Sequence, residues 1–169
     1  MQLTSNDITD QQAIPHQFAF GRPNGQGQME LGENLNPHLS WSGAPDGTRS
    51  FALLVVDPDV PATAEHVNLD GQTISESLPR VDFYHWCMVN IPLAVTEIAQ
   101  GSCSRGVVLG GKNDPAGPSG ALQGVNDYTN FMAGSDLAGR YHGYDGPCPP
   151  WNDERIHHYH FKVFALDVE

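Results

Sequence analysis

The clearest structural signal in this chain is FALLVVDPD, which occupies residues 51–59. Side chains along a β-strand point alternately to its two faces, so every second residue shares a face. Phe51, Leu53 and Val55 therefore line one apolar face, and Asp57 continues it. The pattern predicts a strand that carries a carboxylate on its core-facing side.

Two later segments repeat this arrangement, YHWCMVNI at 84–91 and HHYHFKVFALD at 157–167. By the same period of two, His85 shares the apolar face of the first segment, and His157 and Tyr159 share that of the second. The apolar members of these faces are Cys87, Val89 and Ile91 in the first segment and Phe161, Val163 and Ala165 in the second.

The core-facing polar groups are thus a carboxylate, two imidazoles and a phenol. Burying such a group costs roughly 1–3 kcal/mol unless it is hydrogen-bonded, so each group is expected to find a partner. If the segments are neighbouring strands, the groups meet at one rim of the core and form a small-ligand pocket. The alternative is that each is a core residue whose partners are all within the protein and which binds nothing.

Composition favours one domain of mostly β structure. The chain has 169 residues with 18 Gly and 13 Pro, which indicates many turns. Short helices are expected at Leu93–Gln100 and near Asp127–Ala133, with loops over 62–81 and most of 101–151. The predicted strands are Gln17–Phe20, Leu39–Trp41, Arg49–Asp57, Phe83–Ile91 and His157–Val168.

Charge and hydropathy exclude some classes of partner. A net charge of −12 with only eight Lys and Arg argues against nucleic acid, although a few pocket donors can still hold a small anion. No apolar run is long enough for a membrane span, and the opening MQLTSNDITDQQ does not resemble a signal peptide. The three cysteines have no C-x-x-C spacing and are interpreted as free thiols. We expect a cytoplasmic protein; a mature form already trimmed of its signal is the alternative.

Other chemistries fit the residues less well. A metal site could use His157, His158 and His160, but only the last two share a strand face and no further ligand completes the set. Hydrolysis would need a nucleophile, and no G-x-S-x-G motif is present. Cys148 is either a reactive thiol or a packed small residue in a Pro-rich loop. The sequence therefore predicts no metal and no cofactor.

Several segments together resemble one known family, the phosphatidylethanolamine-binding proteins. The segments are GENLNPHLSW, DPDVP, YHWCMVNIP, GYDGPCPP and HHYHFKVFALD, and they occur in the family's order between residues 32 and 167. Within the family, the bacterial Raf-kinase-inhibitor-like branch (YbhB and YbcL type) is the most similar. The resemblance implies a Greek-key β fold with an anion pocket for phosphate or a phosphorylated headgroup, in a binding or regulatory protein without enzymatic activity.

The resemblance also implies which residues form the pocket. Asp59, Pro61 and Trp86 would support it, and the bond before Pro61 would be cis. His158 stands where the family usually has Arg, so a buttressing cation is expected to be lost. The ligand-binding residues carried over by motif are Asp57, His85, Gly146, Pro147, Cys148, Pro149, His157 and Tyr159.

The implied partners are a small anionic or phosphorylated ligand and, alternatively, a kinase or protease that surface loops would inhibit. Residues 1–169 are expected to form a single domain without the helical segment with which relatives end, which makes a homodimer a further expectation. Asp57 is expected either to orient a histidine or to receive a proton from a phosphate or a headgroup amine. The two imidazoles and the phenol are expected to donate to the anion.

Overall fold

The structure, a computed structural model, describes residues 1–26 and 28–169. Regular structure consists mainly of strands, joined by one short helix, α1 (Tyr128–Phe131), and two one-turn 3-10 helices at His16–Phe18 and Pro118–Gly120. The strands are β1 (Gln2–Thr4), β2 (Gly21–Pro23), β3 (Met29–Leu31), β4 (Leu39–Ser42), β5 (Ser50–Pro61), β6 (Arg80–Pro92), β7 (Glu97–Ile98), β8 (Leu122–Gln123) and β9 (His160–Leu166). The predicted fold class, mostly β with few short helices, is confirmed.

The three segments singled out in the sequence do become neighbours. The largest sheet has the order β8-β6-β5-β9, and both partners of β5 run antiparallel to it. A second sheet has the order β1-β4-β7, and β2 pairs with β3. The almost continuous apolar run of β5 fits its burial, since most of its residues are buried on both faces of the strand.

The core lies between the two larger sheets. Leu39 and Trp41 of β4 and Ile98 of β7 join the cluster that contains the apolar faces of β5 and β6. Trp86 and Met88 are fully buried there, and Phe161 and Val163 of β9 pack against the same cluster. This packing fixes β5, β6 and β9 relative to one another; Asp57 and His85 lie within β5 and β6, and His157 and Tyr159 lie just before β9.

Three predicted strands are found, two of them longer than expected. Leu39–Trp41 corresponds to β4, Arg49–Asp57 extends to Pro61 in β5, and Phe83–Ile91 begins earlier, at Arg80, in β6. The last strand is shorter than predicted: β9 begins at His160, so His157 and Tyr159 precede it in extended chain. The helix predicted near residue 127 is α1.

Two predicted elements are wrong. Residues 17–20 are not a strand; a 3-10 turn follows Pro15, and consecutive residues from Phe18 to Phe20 are buried, which a strand with one buried face would not allow. The helix predicted at Leu93–Gln100 is a turn followed by β7, because Ile98 pairs with Leu39 and enters the core. Tertiary packing overrides local propensity here.

The expected cis bond before Pro61 is also wrong. Every peptide bond of residues 1–26 and 28–169 is trans. Pro61 pairs with Arg80 at the end of the β5–β6 ladder, and this extended pairing accounts for the trans backbone. None of the helices in the described part of the chain is long and apolar enough to cross a membrane.

Candidate functional site

A pocket of about 120 Å³ lies beside the last residues of β5, the first half of β6 and the segment just before β9. Five of the residues predicted to bind a ligand through their side chains line it: Asp57, His85, Cys148, His157 and Tyr159. Pro61 and Pro149 line it as well. Residues distant in the sequence thus come together as the alternation and the resemblance both predicted.

Asp57 and His157 form the most tightly bound part of the pocket. The His157 Nδ1 lies 2.6 Å from the Asp57 Oδ2, and both side chains are only 2% exposed. The second Asp57 oxygen accepts the backbone N–H of Asp59 at 2.8 Å. Asp57 therefore orients the His157 ring, as the sequence predicted.

The network continues beyond His157 to two residues that the sequence did not reveal. His157 Nε2 lies 3.2 Å from the Asp153 Oδ2, and Arg80 holds the same carboxylate with two hydrogen bonds of 2.5 and 2.9 Å. Arg80 also donates to the backbone oxygens of Asp59 and Ser75. Nothing in the local pattern marks this pair, because Arg80 and Asp153 are 73 positions apart and meet only through the fold.

A carboxylate at each nitrogen favours the protonated, cationic form of His157. Burial lowers its pKa, but the hydrogen bonds and charges of Asp57 and Asp153 outweigh burial and raise the pKa above its usual value. The pKa of Asp153 is likewise lowered, because its hydrogen bonds to Arg80 and His157 outweigh its desolvation. Both ring nitrogens are occupied, so this imidazolium has no donor left for a ligand.

His85 is in the opposite state. Its side chain is buried, and Nδ1–H donates to the backbone oxygen of Asp145 at 2.8 Å. Burial lowers the His85 pKa despite the nearby carboxylates of Asp57 and Asp145, so the ring is neutral near pH 7. With Nδ1 protonated, Nε2 carries a lone pair and is left for the pocket.

His85 is buried, but the alternation that predicted this burial is wrong, because it placed His85 on a core face with Cys87 and Val89. Trp86 and Met88, not Cys87 and Val89, face the core, and Val89 is 44% exposed. The β5–β6 register shifts by one residue at His85, so that His85 and Trp86 are both buried. A β-bulge of this kind turns one extra side chain inward, and period-two reasoning cannot foresee it.

Tyr159 supplies the phenol of the pocket. Its hydroxyl is buried and makes no hydrogen bond of normal geometry to any atom that the structure describes. Its ring stands edge-on to that of His85, with centroids 5.3 Å apart. Burial raises the Tyr159 pKa well above its usual value, so the hydroxyl keeps its proton; the nearby Asp57 carboxylate acts in the same direction through its charge and through a side-chain interaction outside normal hydrogen-bond geometry. An unpaired buried donor of this kind needs an explanation, and a ligand acceptor is one.

The segment after Tyr144 closes the other side of the pocket. Gly146 lies behind the wall: a Cβ there would come within 1.9 Å of the Phe18 backbone oxygen, so only glycine fits. Pro147 contributes its backbone oxygen to Phe20 and Gly21 and is also behind the wall. Both residues thus shape the pocket without lining it.

A buried polar network, also missed by the sequence, holds this segment. The Asp145 carboxylate accepts hydrogen bonds from Asn34 (2.8 Å), Asn126 (2.8 Å) and Lys112 (2.5 Å). Asn34 also accepts the backbone N–H of Gly146 at 2.9 Å. The one sign of this network in the sequence was Asn34, because it lies in GENLNPHLSW, a segment shared with the family.

Cys148 lines the pocket as a packed thiol. Burial raises its pKa to about 12, and the side chain packs against the aromatic cluster around Phe20 and Tyr128. A thiolate is the reactive form of cysteine, so this environment makes the thiol a weak nucleophile.

Two of the predicted supporting residues lie outside the pocket lining. Trp86 is fully buried in the core, where its indole N–H donates to Gln123 at 2.8 Å. Asp59 binds His158 at 2.8 Å and Arg155 at 3.4 Å. Position 158 carries no Arg, and the cation beside Asp59 is Arg155, while the His158 ring contacts the same carboxylate.

The three histidines considered as a metal site do not converge. His157 is bound by two carboxylates, His158 faces Asp59, and His160 is exposed on β9. In the described ranges no group of three His, Cys, Asp or Glu side chains has the geometry to hold a metal ion.

Comparison with known proteins identifies the family. The model of the phosphatidylethanolamine-binding protein family matches residues 4–169. The chain belongs to this family. Among curated relatives, YbcL of Escherichia coli is 36% identical over 171 residues, which cover 99% of this chain and 69% of YbcL. YbhB of the same organism is 34% identical over 169 residues, which cover 100% of this chain and 80% of YbhB.

Solved structures agree with this family assignment. The crystal structure of Escherichia coli YbcL has a TM-score of 0.67 and 33% identity, and the match covers 99% of this chain and 77% of YbcL. The homologue CT736 of Chlamydia trachomatis has a TM-score of 0.61 and 26% identity, covering 98% of this chain and 74% of CT736. The resemblance to the YbhB and YbcL branch is thus confirmed, and the protein belongs to a family of binding proteins.

Proposed function

We propose that this protein holds a small anion or a phosphorylated headgroup in its pocket and releases it unchanged. The observation that carries the proposal is the buried Tyr159 hydroxyl, a donor without a partner among the described residues. It lies beside His85, whose Nε2 becomes a second donor when the ring is protonated. An oxyanion can accept from both groups at once.

Charge explains why His85 has to take a proton. When His157 is protonated, the cations His157, Arg80 and Arg155 balance the carboxylates of Asp57, Asp153 and Asp59. An anion therefore enters a site without net positive charge, next to the carboxylate of Asp57. Protonation of His85 supplies both the missing charge and the missing donor, so anion affinity rises as the pH falls.

Isothermal titration with inorganic phosphate and O-phosphorylethanolamine at pH 5.5 and pH 8 tests the proposal. We expect tighter binding at pH 5.5. Tyr159→Phe should weaken binding about tenfold at pH 5.5, because a hydrogen bond to a charged group contributes roughly 1.5–3 kcal/mol. Absence of binding at both pH values would refute the proposal.

The ligands titrate in this range as well, so a control must separate their protonation from that of His85. His85→Gln keeps an amide donor that does not titrate, and its residual pH dependence should be that of the ligand and of His157. His160→Gln changes an exposed histidine outside the pocket and should behave like the unmodified protein. Equal pH dependence in all three proteins would assign no role to His85.

The proposal includes the absence of turnover. The one thiol that lines the pocket, Cys148, stays protonated because burial raises its pKa to about 12. After prolonged incubation with O-phosphorylethanolamine, phosphorus NMR should recover only the intact ester. Release of inorganic phosphate would overturn this part of the proposal. Inhibition of a kinase or protease, and a homodimer, stay predictions of the resemblance.

A further inference from the structure

The pocket has two unlike parts. The polar groups already described form its inner end, whereas the rest of its lining is apolar except for Asn68. The apolar part is formed by the chain after β5, by β6, by α1 and by the prolines that follow Cys148. Its members include Val60, Val67, Phe83, Phe131, Met132 and Pro150.

Phe131 is an exposed side chain of this apolar wall. It is 50% exposed although it contacts Phe83 edge-on, with ring centroids 6.3 Å apart. Phe83 in turn stands edge-on to Tyr128, at 5.2 Å. The pocket therefore presents aromatic surface that the protein itself leaves partly uncovered.

The opposite wall is held in place by hydrogen bonds. Asn152 donates to the backbone oxygens of His66 and Gln72 at 2.8 and 3.0 Å, and accepts the backbone N–H of Asn68 at 3.0 Å. These bonds tie the loop that carries Val67 to the segment after Pro150. The wall is thus built before any ligand arrives, which lowers the entropic cost of binding.

The volume of the pocket exceeds what an oxyanion needs. A space of about 120 Å³ has room for on the order of ten water-sized groups, since about 10–15 Å³ of such volume holds one. A bare phosphate bound at the polar end would leave the apolar wall in contact with water. A ligand that fills the pocket must carry apolar atoms on the side away from its charge.

We infer that the pocket takes an acid with an apolar substituent, a phosphate monoester or a carboxylic acid bearing an aryl or alkyl group. This inference rests on the proposed function, because the acid group would bind at Tyr159 and His85. The substituent would lie against Phe131 and Val67. These two residues determine which acids are preferred.

Isothermal titration at pH 6 with two pairs of probes tests the inference. The pairs are inorganic phosphate with phenyl phosphate, and acetate with phenylacetate. Burial of the ring should make phenyl phosphate at least about tenfold tighter than phosphate. A gain in either pair supports the inference, and the pair with the larger gain identifies the acid.

Substitutions in the apolar wall test whether the phenyl group binds there. Phe131→Ala and, independently, Val67→Ala should each remove much of the phenyl advantage and leave phosphate affinity unchanged. Leu109→Ala, at a residue that is 58% exposed and does not line the pocket, should change neither. Thermal melting confirms that each variant is folded.

The possible failures are distinguishable. If phosphate binds but phenyl phosphate and phenylacetate gain nothing, the inference is overturned and the proposed function stands. If Phe131→Ala and Val67→Ala both weaken phosphate and phenyl phosphate equally, the apolar wall does not select the ligand, and the inference is again overturned. If none of the four probes binds, the proposed function fails and the inference fails with it.

Discussion

The two histidines of the pocket lie in contrasting surroundings. Both nitrogens of His157 contact carboxylates, and the chain of contacts runs on to Arg80. His85 has one nitrogen bound to a backbone oxygen, and its neighbour Tyr159 has no partner in the described part of the chain. One side of the pocket is complete without a ligand, and the other is not.

The contrast separates two uses of buried polar groups. Around His157, every charge is paired, so the network holds the shape of the pocket and offers little to a ligand. Around His85, burial outweighs the charges of the nearby Asp57 and Asp145 carboxylates and keeps the ring neutral, so the ring can still gain a proton. A cluster of polar residues is therefore better judged by its unpaired atoms than by its composition.

The largest expected effect comes from breaking the complete side. Arg80→Ala leaves the Asp153 carboxylate, only 1% exposed, with His157 as its remaining charged partner beside the backbone N–H of Arg155. Removing one member of a buried ion pair is strongly destabilising, so the free energy of unfolding in urea at pH 7 should fall by about 3 kcal/mol.

A matched surface pair provides the control. Arg49 contacts Glu169, and their side chains are 58% and 75% exposed. Arg49→Ala should change the free energy of unfolding by less than about 0.5 kcal/mol. Similar losses in the two variants would show that the Arg80 network does not hold the pocket.

A smaller effect distinguishes two buried phenols. Tyr144 donates its hydroxyl to the Phe18 backbone oxygen at 2.6 Å, whereas Tyr159 has no such partner. Without ligand, Tyr144→Phe should cost about 1 kcal/mol, and Tyr159→Phe should be neutral or slightly stabilising, because it removes an unpaired buried polar group. Urea unfolding of both variants measures the difference. A loss of 1 kcal/mol or more in Tyr159→Phe would mean that its hydroxyl is bonded within the folded protein.

The smallest expected effect is on the pH dependence of the free energy of unfolding, to which the two histidines should contribute with opposite signs. The pKa of His157 is raised by folding, so its contribution to stability is complete below about pH 6.5 and is lost as the pH rises through the folded value. The pKa of His85 is lowered by folding, so stability is lost as the pH falls below about 6.5.

Free energies of unfolding between pH 5 and pH 9 check these signs. His157→Gln should remove the decrease on the alkaline side, and His85→Gln should remove the decrease on the acidic side. The same direction of change in both variants would contradict the assignment of one charged and one neutral ring.

Much of the fold could be predicted from local pattern. The runs that became β4, β5 and β6 were recognised because apolar alternation or continuity extends over several residues. The strand predicted at residues 17–20 and the helix predicted at 93–100 failed because each rested on a short apolar stretch, which tertiary contacts can place in either state. The very short strands β1, β2, β3 and β8 have too few residues for any period to show.

The candidate site could be predicted in part. Alternation placed Asp57, His157 and Tyr159 on the buried side, and they are there. His85 was placed correctly for a wrong reason, since a bulge buries it. The family motifs added Cys148 and Pro149, which no periodicity could have indicated.

The amino-acid order by itself determined which strands have one buried face and which polar groups lie on that face, because a period of two is a local property of extended chain. Only the tertiary structure decided which of these groups are paired. Arg80 reaches Asp153, and Asn34 reaches Asp145, across 73 and 111 positions of the chain. Such distances become contacts only when the sheets pack, and packing is what leaves the Tyr159 hydroxyl without a partner among the described residues.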